Sequence, residues 1–227
     1  MLIDVLQHVP FEGLAAIEDW GQDRGHHFRI HHLYEEAVLP AAIDVTMLII
    51  LGGPMSANDT EHWLEAERDL IRELISKQQP IFGICLGAQQ IAKAIGADIF
   101  QGEYKEVGWH PIQTFTQHFS SFLPDQMTAF HWHGEQFSLP DGAIRLFGNT
   151  ACENQGFIYK DFVIGLQFHL EMTEESIIKL ITHDQNNIDH GKYVQSGKTM
   201  LSAHIPTINK KVLYQLLDSL VQQQERK

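Results

Sequence analysis

The chain has 227 residues, 44% of them hydrophobic, and a formal net charge of −13. A chain of this length buries roughly 70–75% of its unfolded surface, so a core forms without staples, and residues 1–227 read as a single domain. The acidic balance argues against nucleic acid and anionic membrane surfaces as partners, since neither would be steered in.

The N-terminal MLIDVLQHVPFEG carries no basic leader or cleavage site, and no run of about 18 apolar residues exists to span a membrane. Leu2–Val9 reads as an opening strand and Phe28–Leu33 as a second. Thr46–Leu51 is a short apolar run ending in Gly52-Gly53-Pro54, which suits a strand covered on both faces of a parallel sheet. Glu61–Lys77 has apolar residues at 63, 64, 70, 71, 74 and 75, close to the helical period. Pro80–Ile84 is the next buried strand and Leu86–Ile95 the next helix. Strand, helix, strand, helix with short turns predicts an α/β fold with a mainly parallel central sheet flanked by helices.

Between Asp98 and Phe168 the helical signal fades into short β runs at 98–101, 111–115, 127–132, 143–147, 156–159 and 162–168. Two late helices are expected at Glu174–Thr182 and Asn209–Gln223, with a polar surface loop at Asn186–Lys198. The last helix is amphipathic and could form a homodimer contact.

The chain has only two cysteines, Cys85 and Cys152, too few for a disulfide framework. A reduced compartment, the cytoplasm, follows. Cys85 stands at the strand-to-helix turn inside Gly83-Ile-Cys85-Leu-Gly87. A tight turn lifts a side chain off the sheet, flanking glycines allow strained angles, and the following helix points its N–H groups at a thiolate. A buried structural cysteine is the plain alternative. A nucleophilic cysteine needs a base and an orienting group. Val163–Leu170 reads as an apolar strand ending in His169-Leu170-Glu171, and residues two apart on a strand share a face, so His169 and Glu171 can lie together. Both Cys85 and His169 then lie at the C-terminal ends of strands, the edge where open α/β sheets carry their sites. Backbone N–H groups of Gly53 and Leu86 could form an oxyanion hole.

In this order, LGGPMS, GICLGAQ and QFHLE resemble the motifs of class I glutamine amidotransferases, including the glutaminase domain of GMP synthase and its stand-alone relatives. The resemblance spans residues 46–171. It implies a flavodoxin-like three-layer sandwich and a Cys-His-Glu triad releasing ammonia from glutamine. Cys85 would be the nucleophile, His169 the general base and acid, and Glu171 the orienter. By the same resemblance Gln89 holds the amino-acid end of the substrate, and Trp132-His133-Gly134-Glu135 matches a substrate-binding segment through His133 and Gly134. Glu106-Val107-Gly108 matches a segment near the substrate. Leu170 stands where the family has proline, which loosens the turn, and Trp132 replaces a small residue.

The resemblance implies a small-molecule substrate, glutamine or another γ-glutamyl compound, and no cofactor. No synthase domain follows in this chain, so an ammonia-accepting synthase would act in trans. A γ-glutamyl peptidase with a larger pocket around Trp132 is an alternative, and a non-catalytic regulatory module a second. His26, His27, His31, His32, His131 and His133 prompt a check for metal. Without a cysteine or carboxylate at typical spacing they read as surface or packing residues, and no metal is assigned.

Overall fold

The computed structural model of the protein describes residues 1–119, 121–184, 188 and 190–225. Its centre is a run of apolar strands that alternate their side chains between two helical layers. The strands β1 (Leu2–Gln7), β3 (Leu48–Ile50), β4 (Ile81–Ile84) and β9 (Val163–Leu166) are buried almost throughout. With β2 (His27–His32) at the edge they lie parallel in the order β2-β1-β3-β4-β9. Continuous Val/Ile/Leu runs are what strands covered on both faces require.

One face sends Ile3, Val5, Ile49, Phe82, Ile84, Ile164 and Leu166 against α1 (Ala16–Arg24) and α6 (Thr207–Glu225), which contribute Ile17, Trp20, Leu213, Leu216, Leu217 and Leu220. The opposite face sends Leu6, Leu48, Ile50, Ile81 and Val163 against α2 (His62–Ser76) and α3 (Leu86–Ala94). Each fully buried aliphatic side chain stabilises this arrangement by roughly 1.5–3 kcal/mol. The α1–α6 contact is pinned by the Trp20 indole N–H, which donates to Asp218 at 2.8 Å. The result is the expected α/β three-layer sandwich.

Beyond β9 the sheet turns antiparallel through β8 (Gly156–Tyr159) and β7 (Ala143–Gly148) to β5 (Ile99–Thr114), which pairs with β6 (Gln126–Phe137). The expected short runs at 98–101 and 111–115 are the two ends of one strand, β5, and the run 127–132 continues to Phe137. Charged residues between Glu103 and Glu106 hide that continuity, and the β5–β6 register shifts there. Helix α1 was not expected, because its buried side comes down to Ala16, Ile17, Trp20 and Gly21.

The expected loop at Asn186–Lys198 is corrected in part. Tyr193–Val194 forms β10, parallel to β5, and Gly197 opens α5 (Gly197–Ser202). The start of that loop, Asn186, lies outside the described residues. The late helix α4 (Glu174–His183) begins at a capping box in which Ser176 N–H donates to the Thr173 hydroxyl at 3.2 Å.

Candidate functional site

Cys85 is the hinge between β4 and α3, with φ 51° and ψ −108°. A non-glycine residue at that φ is strained and persists only where its surroundings hold it. Its N–H donates to Leu166 O at 2.8 Å, and its own carbonyl accepts from Gln89 N–H at 3.0 Å. The flanking glycines are required by space. A side chain on Gly87 would overlap the Ile50 carbonyl, and one on Gly83 would meet Ile91 and the Gly87 backbone. Sγ lies 3.8 Å from both Trp132 O and Gln167 Nε2.

The expected strand Val163–Leu170 ends at Leu166, so His169 lies three residues past β9, the strand that pairs with β4. The His169 N–H donates to Phe130 O at 2.8 Å, an isolated bridge that fixes the chain after β9. Two residues on, Glu171 O accepts from Ala16 N–H at 3.0 Å. Leu170 between them is 3% exposed and packs in the core. The expected loosening of this turn is therefore not found, because backbone hydrogen bonds and a buried leucine pin it on both flanks.

His169 Nδ1 lies 2.6 Å from Glu171 Oε1, with both side chains buried. This contact assigns the Nδ1 proton to the shared bond and leaves Nε2 for Cys85. Burial opposes a charge on the ring. The Glu171 carboxylate and hydrogen bonds to Cys85 and Glu171 outweigh it, so the His169 pKa is raised well above its ordinary value. Such a ring holds a proton and can stabilise an adjacent thiolate. At the second cysteine, Cys152, burial pushes the thiol pKa far up.

A cavity of about 570 Å³ opens over these groups, lined by Gly53, Cys85, Gln89, Trp132, His133, Gly134 and His169 among others. Leu86 does not line it. It is the first residue of α3, and its side chain packs beside Gly53. Glu171 lies behind the cavity, where with His169 it lines a separate void of about 20 Å³. The Gln89 amide donates to Gln167 Oε1 at 3.1 Å, so it reaches the cavity already braced. The Trp132 indole donates to Asp184 at 2.7 Å and forms part of the wall.

The Gly52-Gly53 turn is held from below by His8. Its Nδ1 lies 3.0 Å from Gly52 O and its Nε2 2.9 Å from Glu67 Oε2, with both side chains fully buried. Burial disfavours the imidazolium, but Glu67 and the Gly52 carbonyl raise the His8 pKa regardless. With one ring nitrogen at the Gly52 carbonyl and the other at Glu67, His8 ties the loop to α2.

A profile of the family described as Glutamine amidotransferase class-I matches residues 15–184. The chain belongs to the class I glutamine amidotransferase family. The glutamine amidotransferase-like protein YfeJ of Salmonella typhimurium is 33% identical, over 97% of each chain. The crystal structure of a glutamine amidotransferase from Thermotoga maritima superposes with a TM-score of 0.83 at 31% identity, covering 99% of this chain and 97% of that one. The glutamine-hydrolyzing GMP synthase subunit of Thermoplasma acidophilum is 32% identical over a stretch covering 41% of this chain and 48% of that protein.

Within this amidotransferase fold the His131 and His133 pair acquires the carboxylate that the sequence spacing lacks. Cross-strand pairing sets Glu106 opposite His133, and one ligand atom from each of Glu106, His131 and His133 falls within 4.8 Å of the others. These three residues could hold a metal ion, but the carboxylate is already engaged. Asn149 and Gln155 each donate to one of its oxygens at 2.6 Å. Burial raises the Glu106 pKa, yet His133, His131 and Asn149 hold it down to about 2, while burial depresses His131 to about 3. Held by Asn149 and Gln155, the Glu106 carboxylate braces the strand that carries Trp132, His133 and Gly134. His31 instead bonds Asp4 at 2.7 Å on β1.

Glu12 was missed. It follows β1 and lines the cavity beside Cys85 and His169. The rule that placed Cys85 and His169 at the C-terminal edge of the sheet applies equally to the β1 loop. The motif PFEG held the signal.

Proposed function

We propose that this protein hydrolyses γ-glutamyl amides, glutamine in the simplest case, through a thioester on Cys85. The Cys85 thiolate attacks the γ-carbonyl carbon, and the oxyanion is held by the N–H groups of Gly53 and Leu86. His169 then gives its proton to the departing nitrogen, releasing ammonia. The neutral ring takes a proton from water, which attacks the thioester and frees glutamate and the thiol. Glu171 keeps the imidazole oriented and stabilises its charged form. Gln89, His133 and Gly134 bound the end of the cavity that receives the glutamyl group. The observation that carries this reading is the convergence on one cavity of a strained elbow cysteine and a histidine held at 2.6 Å by a buried carboxylate.

Two details bear on substrate and partner. A volume of about 570 Å³ falls in the range of pockets that take ligands larger than a single amino acid. This favours the γ-glutamyl peptidase variant of the same chemistry. Where the leaving group is ammonia, the likeness to a GMP synthase component supports delivery to a synthase partner in trans. The convergence of Cys85, His169 and Glu171 weighs against a regulatory module without catalysis. The test is release of glutamate from glutamine and from γ-glutamyl dipeptides, with Cys85→Ala as control. Turnover that is lost in the variant supports the reading, and a variant as active as the parent overturns it.

A further inference from the structure

We propose that the leaving group of the physiological substrate is an amine bearing a second positive charge, received by Glu12. The inference rests on the γ-glutamyl reading above and names its substrate class.

In any amide cleavage here, His169 must reach the departing nitrogen, so whatever that nitrogen carries lies on the His169 side of the cavity. Glu12 occupies that side. A Cβ built on Gly52 would overlap Glu12 Oε2 and stand 3.5 Å from His169 Cε1, so carboxylate and ring flank the same point. Glu12 also lines both the main cavity and the small void behind it. Among the described residues its side chain has no hydrogen-bond or ion-pair partner, unlike Glu67, Glu106 and Glu171 nearby. Burial pushes its carboxyl up to about 7, and Glu171 and Asp184 add to the push against the pull of His169 and His8. A carboxyl in that condition gains from a cation that fills the space beside it.

The surrounding field has the same sign. Among the described residues, the cavity wall carries the carboxyl groups of Glu12, Glu103, Glu135 and Asp184 against the ammonium of Lys105 and the His169 ring, whose pKa is raised. Free glutamine offers nothing to Glu12, because its leaving group is ammonia alone. An amide of a diamine, or of an amino compound with a cationic tail, places an ammonium there. A tail ending in carboxylate meets repulsion.

The experiment compares kcat/KM for three γ-glutamyl amides whose leaving amines match in length: 1,4-diaminobutane, pentylamine and 4-aminobutanoate. Glutamine serves as reference. The cationic amide is expected to exceed the neutral one at least 10-fold, and the anionic one to fall below it. Glu12→Gln should reduce the cationic preference to within about 3-fold, and Glu12→Asp should retain part of it. Melting curves of both variants confirm folding. Equal rates for cationic and neutral amides, or an unchanged preference in Glu12→Gln, overturn the inference while leaving γ-glutamyl hydrolysis intact. Failure to cleave any of the four compounds overturns the γ-glutamyl reading itself and this inference with it.

Discussion

Replacing Glu171 by glutamine isolates one charge with little change of shape. The carboxylate lies 2.6 Å from His169 Nδ1, and neither side chain is more than 7% exposed. An amide oxygen can still accept the Nδ1 proton, so the ring keeps its tautomer and loses only its counter-charge. At a charge separation of about 4 Å and an effective dielectric near 20, that interaction is about 4 kcal/mol. If most of it is felt when the ring is an imidazolium, kcat/KM falls by roughly 10²- to 10³-fold. The pH profile should move as well. Glu171 is the foremost of the influences raising the His169 pKa, so without it the imidazolium is lost at lower pH, and the alkaline limb shifts down. Alkylation of Cys85 by iodoacetamide, followed by peptide mass, gives a readout independent of substrate, and should slow in the variant. A change in kcat/KM below about 3-fold, with the alkylation rate intact, would refute the role given to Glu171.

Three other outcomes follow from the same contacts. Gly87→Ala sets a methyl against the Ile50 carbonyl, so stability should fall by about 1–3 kcal/mol, read as a lowered melting temperature. Glu67→Gln leaves His8 buried without its counter-ion and should cost about 3–5 kcal/mol in urea denaturation. Because the folded pKa of His8 is raised, that loss should be complete below the unfolded value of 6.5 and shrink as pH climbs through the folded one. Glu106, by contrast, has a lowered pKa. Its contribution is present above the ordinary 4.5 and disappears as pH falls toward 2, so Glu106→Gln should flatten the acid limb of the stability curve.

The sheet centre was legible because its strands are short apolar runs that can only be covered on both faces, and their turns carry Gly-Gly-Pro and Gly-x-Cys-x-Gly. The site edge followed from those turns: Cys85 and His169 had to emerge at the same ends of neighbouring strands, β4 and β9. What stayed hidden depends on contacts across sequence. Helix α1 has too few apolar positions to show a period, and its helical state is supported by Trp20 reaching Asp218 on the last helix. The long β5 reads as two strands because its middle is polar, and that polarity becomes intelligible only when Glu106 is seen facing His133. Glu12 and His8 both lie on the loop that follows β1. His8 reaches Gly52 and Glu67, 44 and 59 positions along the chain, and Glu12 comes up against Gly52.

Intact mass spectrometry of the protein quenched in acid during turnover of a γ-glutamyl substrate addresses the central claim most directly. A mass increase of one glutamyl group, mapped to the peptide containing Cys85 and missing in Cys85→Ala, is the predicted result. Turnover that proceeds with Cys85 unmodified, or a glutamyl group carried by any other residue, would contradict the account.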